Sequence, residues 1–168
     1  MFAFPWGKGT LKDIHGPEDW QRETLLSIGN ELQGPSDVIR EATASGHGCG
    51  KSALVSWLIL WAMATHENTR GIVTANTETQ LMTKTWPELM KWCHLFIGKD
   101  LFTVTATSIF AADKSMEKNW RIDAIPWSKE NPEAFAGLHN QGNRILLIFD
   151  EASAIDDKIW EVAEGAMT

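Results

Sequence analysis

The chain has 168 residues, of which 43% are hydrophobic and 22% charged, a composition typical of a single globular domain with a real core. Its net charge of −7 excludes a basic surface over the whole domain, so any contact with nucleic acid must be local or supplied by another part of the protein. The two cysteines, Cys49 and Cys93, form neither a disulfide framework nor a zinc-binding pattern, and they favour a reducing, cytoplasmic setting.

The first predicted elements are an irregular arm and a helix. Residues 1–16 are rich in Gly, Pro and aromatics and predict the arm, with no signal-peptide pattern. A helix is predicted to begin near Pro17-Glu18-Asp19, with acids in its first turn, and to continue through WQRETLLSIGNEL. The longest apolar run, Ala53 to Ala64, is too short to span a bilayer, so no membrane contact is expected.

A glycine-rich loop follows this helix. Asp37–Thr43 predicts a strand, residues 45–52 read SGHGCGKS, and the next segment, ALVSWLILWAMATH, is apolar on nearly every face and predicts a buried helix. The loop ends in Gly50-Lys51-Ser52, the end of the phosphate-binding pattern G-x-x-x-x-G-K-[ST]. Its first position holds Ser45 instead of glycine, a small residue that need not block the turn.

The chemistry of a phosphate loop accounts for these residue types. Gly46, Gly48 and Gly50 allow the backbone to curl, so that its N–H groups and the following helix N-terminus point at phosphate oxygens. Lys51 would reach the β and γ phosphates, and the Ser52 hydroxyl would bind Mg²⁺. The alternative is a glycine-rich turn without a ligand. The predicted strand before the loop and the buried helix after it favour the phosphate loop.

Later segments alternate between strands and helices. Strands are predicted at Arg70–Ala75, Leu101–Ala106 and Trp120–Ile125, and a turn or hairpin at residues 108–119. TETQLMTKTWPELMKWCHLFI predicts a helix with a kink or boundary near Pro87, SKENPEAFAGLHNQGN predicts a surface loop, and ASAIDDKIWEVAEGAMT is partly helical. This alternation predicts an α/β fold with a largely parallel sheet, in which ligands lie beyond the carboxyl ends of the strands.

A pair of acids ends the last predicted strand, in ILLIFDEAS. Asp150 could hold Mg²⁺ directly or through water, and Glu151 could act as general base on the attacking water. The alternative is a strand end whose acids only begin the next turn. Because both the loop and the acid pair fall at predicted strand ends, each supports the other, and together they predict a nucleoside triphosphate site.

Other candidate residues are less specific. Gln21 could read the edge of adenine while Trp20 stacks on the base, or both could belong to an ordinary amphipathic helix. Arg40 could contact phosphate or be a solvated or ion-paired arginine. His47 could touch phosphate or cap the loop, and His139 is a loop residue or a ligand.

The segments EDWQRETL, SGHGCGKS, TANTETQ and AFAGLHNQGNRILLIFDEASAI together resemble the ATPase portion of phage terminase large subunits, the motors that pump DNA into viral capsids. The resemblance covers roughly residues 17–168 and implies a RecA/ASCE-like P-loop NTPase with a mostly parallel central sheet flanked by helices. It implies ATP and Mg²⁺ as cofactors, Gln21 as the adenine contact, Asp150 as the Mg²⁺ ligand and Glu151 as the catalytic glutamate. The nucleotide-binding loop would comprise Ser45, Gly46, His47, Gly48, Cys49, Gly50, Lys51 and Ser52.

The sequence also departs from this family. Many members carry a loop arginine that stabilises the γ-phosphate; here His47 stands in that place, and Arg40 is the other candidate. Such proteins continue into a coupling motif and a nuclease domain of the RNase H type, whereas this sequence ends at Thr168. We therefore expect residues 17–168 to form an ATPase domain that is incomplete at its C-terminus, self-associates and turns over slowly in isolation.

The resemblance implies double-stranded DNA, the small terminase subunit and the portal protein as partners, in a homo-oligomeric ring in the bacterial host cytoplasm. Two alternatives remain open at this point. The chain could be another P-loop ATPase, such as a helicase-like enzyme, or a truncated product that binds nucleotide without hydrolysing it.

Overall fold

The computed structural model describes residues 3–44, 46, 48–75, 77–127, 135, 138, 142–152 and 155–167. Its helices are α1 (Asp19–Glu31), α2 (Lys51–Thr65), α3 (Glu78–Gln80), α4 (Trp86–Leu95) and α5 (Asp157–Met167). Its strands are β1 (Arg70–Ala75), β2 (Phe102–Val104), β3 (Ser108–Ala111), β4 (Arg121–Ala124) and β5 (Ile145–Asp150). One π-helical turn, Leu81–Thr85, joins α3 to α4, and 3₁₀ turns occupy Gly9–Leu11 and Lys99–Leu101. In this part of the chain no helix is both long and apolar enough to cross a bilayer.

The strands form one mixed sheet in the order β2-β3-β4-β1-β5. β1 pairs in parallel with both β4 and β5, whereas β3 pairs antiparallel with both β2 and β4. The expectation of a mostly parallel sheet is therefore wrong for this part of the chain. Residues 105–107 are all that separates β2 from β3, and such a short connection permits antiparallel pairing only. The predicted hairpin region accordingly contains a strand of its own, β3.

The sheet is covered on both faces. Side chains alternate along β1, so that Val73 and Ala75 join the cluster around α2 and α4, while Ile72 packs on the other side with Ile155 and Ile159. The prediction of a buried helix after the glycine loop is confirmed, because Ile59, Leu60, Ala62 and Met63 of α2 are fully inaccessible. The result is an α/β arrangement with helices on both sides of a central sheet, which agrees with the predicted fold class in its broad form.

The prediction of a strand at Asp37–Thr43 is wrong, because these residues form no strand. Residues 38–44 pair with no strand, and side-chain contacts to neighbouring helices take the place of a ladder. The Ser27 hydroxyl donates to Glu41 at 3.0 Å, and Arg40 forms an ion pair with Glu164 of α5 at 3.5 Å. The β-branched residues of this segment gave a strand signal, but pairing depends on an available edge as well as on propensity.

The arm before α1 is anchored in the core. Leu11 is buried, and Phe4 and Trp6 pack against α2 and α4. The ring centroids of Phe4 and Trp92 lie 5.1 Å apart, and those of Trp57 and Trp92 lie 5.0 Å apart, both in edge-to-face geometry. Several tryptophans of this Trp-rich chain therefore pack in the core. Rings that meet edge to face stabilise the fold by more than their buried apolar area alone would.

Candidate nucleotide-binding site

The glycine loop turns sharply into α2. Gly48 and Gly50 have φ of +74° and +87°, in the left-handed region that glycine tolerates best. Helix α2 begins at Lys51, and the Gly50 carbonyl accepts the Leu54 backbone N–H at 3.1 Å. Lys51 and Ser52 therefore occupy the first turn of a helix, and a helix N-terminus favours anions. The phosphate-binding role of the loop stays a prediction.

The remaining loop residues divide between described and undescribed positions. The Cys49 thiol donates to the Gly46 carbonyl with an S···O distance of 2.8 Å, which closes the turn before Gly50. Ser45 and His47 lie outside the described residues, as does His139, so their suggested roles stay predictions.

Gln21 connects α1 to this loop. Its side chain is only 3% exposed, its Nε2 donates to the Gly50 carbonyl at 2.9 Å, and its Oε1 accepts the Glu18 backbone N–H at 2.8 Å. The second bond is half of a capping box that starts α1. The residue predicted to read adenine is thus held against the glycine loop in this structure, and the adenine contact stays a prediction.

An open cleft lies beside Gln21, between α1 and the segment that leads into the loop. It has a volume of about 350 Å³. Trp20, Glu23, Thr24 and Ser27 line one wall, and residues 41–44 line the other. Trp20, the predicted stacking partner of the base, therefore faces an open space close to the loop.

The paired acids sit at the carboxyl end of β5 in different environments. Asp150 is 8% exposed, and its Oδ2 accepts a hydrogen bond from the Thr85 hydroxyl at 2.6 Å. Glu151 is exposed and has φ of +53°, a left-handed conformation that costs a residue with a side chain about 1–2 kcal/mol. A buried, oriented carboxylate thus precedes an exposed carboxylate on a strained turn, and strain of this kind concentrates at functional sites.

Contacts at the start of β5 hold the C-terminal end of α2. Arg144, just before β5, donates to the Ala62 carbonyl and to the Thr65 hydroxyl in the last turn of α2. Its guanidinium also lies 4.4 Å from the ring centroid of Trp61. The C-terminal end of α2 is therefore fixed beside the start of β5. The glycine loop is at the opposite end of α2, and the paired acids are at the opposite end of β5.

Arg40 pairs with an acid of α5 in an exposed position. Its guanidinium lies 3.5 Å from a carboxylate oxygen of Glu164, and the two side chains are 61% and 60% exposed. An ion pair this exposed contributes little stability. A role for Arg40 at phosphate stays a prediction.

The chemistry of the donor set fits Mg²⁺. Mg²⁺ prefers hard oxygen ligands and is usually held by one or two carboxylates together with substrate phosphates and water, not by a dedicated protein cage. The Asp150 carboxylate and the Ser52 hydroxyl supply such oxygens. Within the described residues no cluster of three or more His, Cys, Asp or Glu forms such a cage.

Thr85 is the residue that the sequence reasoning missed. It lies four residues after Leu81 and four before Leu89, on the apolar stripe of a predicted helix. A single hydroxyl on such a stripe must find a partner when buried, and this signal could have singled it out. Which partner it finds could not be read from the sequence.

Comparisons with known proteins give one relevant likeness. No family model matches the sequence. A curated protein described as "Probable terminase, large subunit", from Enterobacteria phage P7, is 27% identical over 154 residues. The match covers 89% of this chain and 29% of that protein, so the chain spans less than a third of the length of this relative. This distant likeness supports a terminase-related role.

Proposed function

We propose that the chain binds ATP with Mg²⁺ and hydrolyses it, as the ATPase unit of a terminase-related protein. The observation that carries the proposal is that a glycine loop leads into α2 through Lys51 and Ser52, while a buried Asp150 and an exposed Glu151 follow at the carboxyl end of β5, which pairs in parallel with β1. Ligands of open α/β sheets bind at such ends. The distant phage relative favours this reading over a helicase-like ATPase.

Each residue has a defined task in the proposed reaction. The backbone N–H groups at the start of α2 and the Lys51 ammonium bind the β and γ phosphates. Ser52 and Asp150 would hold Mg²⁺, which would supply positive charge to neutralise the phosphate oxygens. Glu151, which is exposed to water, takes the proton from the water that attacks the γ-phosphate. Further positive charge is expected from one of three sources: His47, Arg40 or an arginine of a neighbouring subunit.

Packaging of double-stranded DNA belongs to the larger protein in this proposal. The net charge of −7 disfavours strong DNA binding by this chain alone, because phosphate neutralisation dominates such affinity. The proposed partners are the small terminase subunit, the portal protein and further copies of the chain in a ring. The proposed place of action is the bacterial host cytoplasm.

Calorimetry with ATP and Mg²⁺, run beside a phosphate-release assay, tests this proposal. We expect wild type to bind, Lys51→Ala to lose most affinity, and Glu151→Gln to bind without turnover. Lys118→Ala, which removes an exposed lysine on the turn between β3 and β4, is the matched control and should behave as wild type. Absence of ATP binding by wild type would refute the proposal. Binding without any turnover by wild type would instead favour a nucleotide-binding, non-hydrolysing chain.

A further inference from the structure

The helical run from α3 to α4 contains a wide turn beside the candidate site. In the π-helical segment Leu81–Thr85, the Trp86 backbone N–H donates to the Leu81 carbonyl, five residues back instead of four. Pro87 follows at once and has no N–H to donate. Single π turns inside α-helices are frequent at functional sites.

The wide turn places two consecutive side chains in the interior. Thr85 is 0% exposed and Trp86 is 1% exposed. The Trp86 indole N–H donates to the Thr105 carbonyl at 2.8 Å, in the turn before β3. The Thr85 hydroxyl points to the end of β5 and donates to Asp150. Thr85 and Trp86 therefore bond to different parts of the fold, the end of β5 and the turn before β3.

Four other helix hydroxyls bond locally. Thr24, Ser56, Thr65 and Thr83 each donate to the carbonyl four residues back, at 2.6–3.0 Å. The Thr85 hydroxyl instead bonds across 65 residues of sequence to Asp150.

We propose that Thr85 is a positioning residue for the Mg²⁺-binding carboxylate of Asp150, an inference that rests on the proposed function. The Thr85 hydroxyl donates to Oδ2 and would fix the orientation of the carboxylate that would bind Mg²⁺. Groups that hydrogen-bond to a metal ligand fix its orientation, and their loss typically lowers metal affinity or activity by about 10- to 100-fold. Thr85 is the last residue of the π turn.

Manganese(II) serves as the probe, because its binding is read directly by electron paramagnetic resonance without any turnover. Wild type, Thr85→Val, Thr85→Ser and Thr83→Val are titrated with Mn²⁺ in the presence of a non-hydrolysable ATP analogue. Thr85→Val keeps the shape but loses the hydroxyl, whereas Thr85→Ser keeps the hydroxyl. Thr83→Val removes a neighbouring exposed hydroxyl that bonds only within its own helix, and is the matched control.

We expect Thr85→Val to weaken Mn²⁺ binding by about tenfold or more, with Thr85→Ser within about threefold of wild type and Thr83→Val unchanged. Binding of the analogue in EDTA should be the same in all four proteins. The Mg²⁺ concentration for half-maximal ATP hydrolysis should shift by the same factor as the Mn²⁺ affinity.

The outcomes separate this inference from the proposed function. If wild type binds Mn²⁺ with the analogue and folded Thr85→Val binds it equally well, Thr85 has no positioning role while the nucleotide site stands. If wild type binds neither, the proposed function fails and the inference fails with it. If Thr85→Val does not fold, the comparison passes to Thr85→Ser and Thr85→Ala. Equal Mn²⁺ affinity of those two would overturn the inference, and weaker binding by Thr85→Ala alone would support it.

Discussion

The contact between Gln21 and Gly50 leads to a prediction about stability that isolates one hydrogen bond. Gln21→Glu keeps an oxygen for the Glu18 backbone N–H, and glutamate is a usual residue at this position of a capping box. The substitution replaces the Nε2 donor, which lies 2.9 Å from the Gly50 carbonyl oxygen, with a second carboxylate oxygen. Two acceptors then face each other. Gln21→Ala removes both bonds without adding a charge.

The magnitude follows from the surroundings of each atom. The Gly50 carbonyl still accepts the Leu54 N–H, so loss of the Gln21 bond by itself costs about 1 kcal/mol. Burying a carboxylate in a site that is 3% exposed, with no donor for one of its oxygens, adds about 1–3 kcal/mol to the loss in free energy of unfolding. We expect Gln21→Glu to lower the free energy of unfolding by about 3 kcal/mol at neutral pH, or roughly 6–12 °C in Tm. Gln21→Ala should cost less, about 1–2 kcal/mol.

The pH dependence of the Gln21→Glu variant has a defined sign. Burial and the facing carbonyl raise the pKa of the introduced carboxyl above its value in the unfolded chain. A raised pKa in the folded state stabilises the fold below the unfolded pKa, near about 4.3, and this stabilisation is lost as pH rises. The protonated carboxyl can again donate to Gly50, so the deficit relative to wild type should shrink in mild acid.

Urea unfolding followed by tryptophan fluorescence and circular dichroism measures these differences. Gln33→Glu, the same chemical change at an exposed position after α1, is the control and should stay within about 0.5 kcal/mol of wild type. The reasoning is refuted if Gln21→Glu is as stable as Gln21→Ala or more so, because the buried carboxylate facing the Gly50 carbonyl would then carry no penalty.

Three further features give predictions. A Cβ on Gly71 would lie 2.3 Å from the Leu146 carbonyl oxygen in the neighbouring strand. Gly71→Ala should therefore lower the free energy of unfolding, measured in urea, by about 3 kcal/mol. A variant as stable as wild type would contradict the register of β1 on β5. Because asparagine tolerates the left-handed region, Glu151→Asn should raise the free energy of unfolding by about 1 kcal/mol. Glu151→Gln should leave it unchanged. If both variants were as stable as wild type, the result would argue against strain at this turn. Burial raises the pKa of the Cys93 thiol above its ordinary 9.0, so the unfolded chain loses this proton first and stability falls as pH rises above that value. Cys93→Ala should show a smaller fall between about pH 8 and pH 10 in the same urea assay, and an equal fall would exclude Cys93 as a cause.

Local patterns in the sequence were sufficient for several elements of this protein. The apolar run after the glycine loop predicted the buried α2, because a helix that is apolar on every face has to be covered. Arg70–Ala75 and the ILLIF run predicted β1 and β5 closely. The candidate loop and the acid pair were also found from residue type and spacing, since each motif is contained in a few consecutive residues. Their role in nucleotide chemistry stays a prediction.

Partners that are distant in the sequence were decided by the tertiary structure. Gln21 meets Gly50 across 29 residues and Thr85 meets Asp150 across 65, and no local pattern records which polar groups will share a buried space. The same reason explains the two errors. The strand propensity of Asp37–Thr43 could not reveal that this segment pairs with no other strand. The directions of β2 and β3 follow from the length of their connection and from the strand order in the sheet, not from their composition.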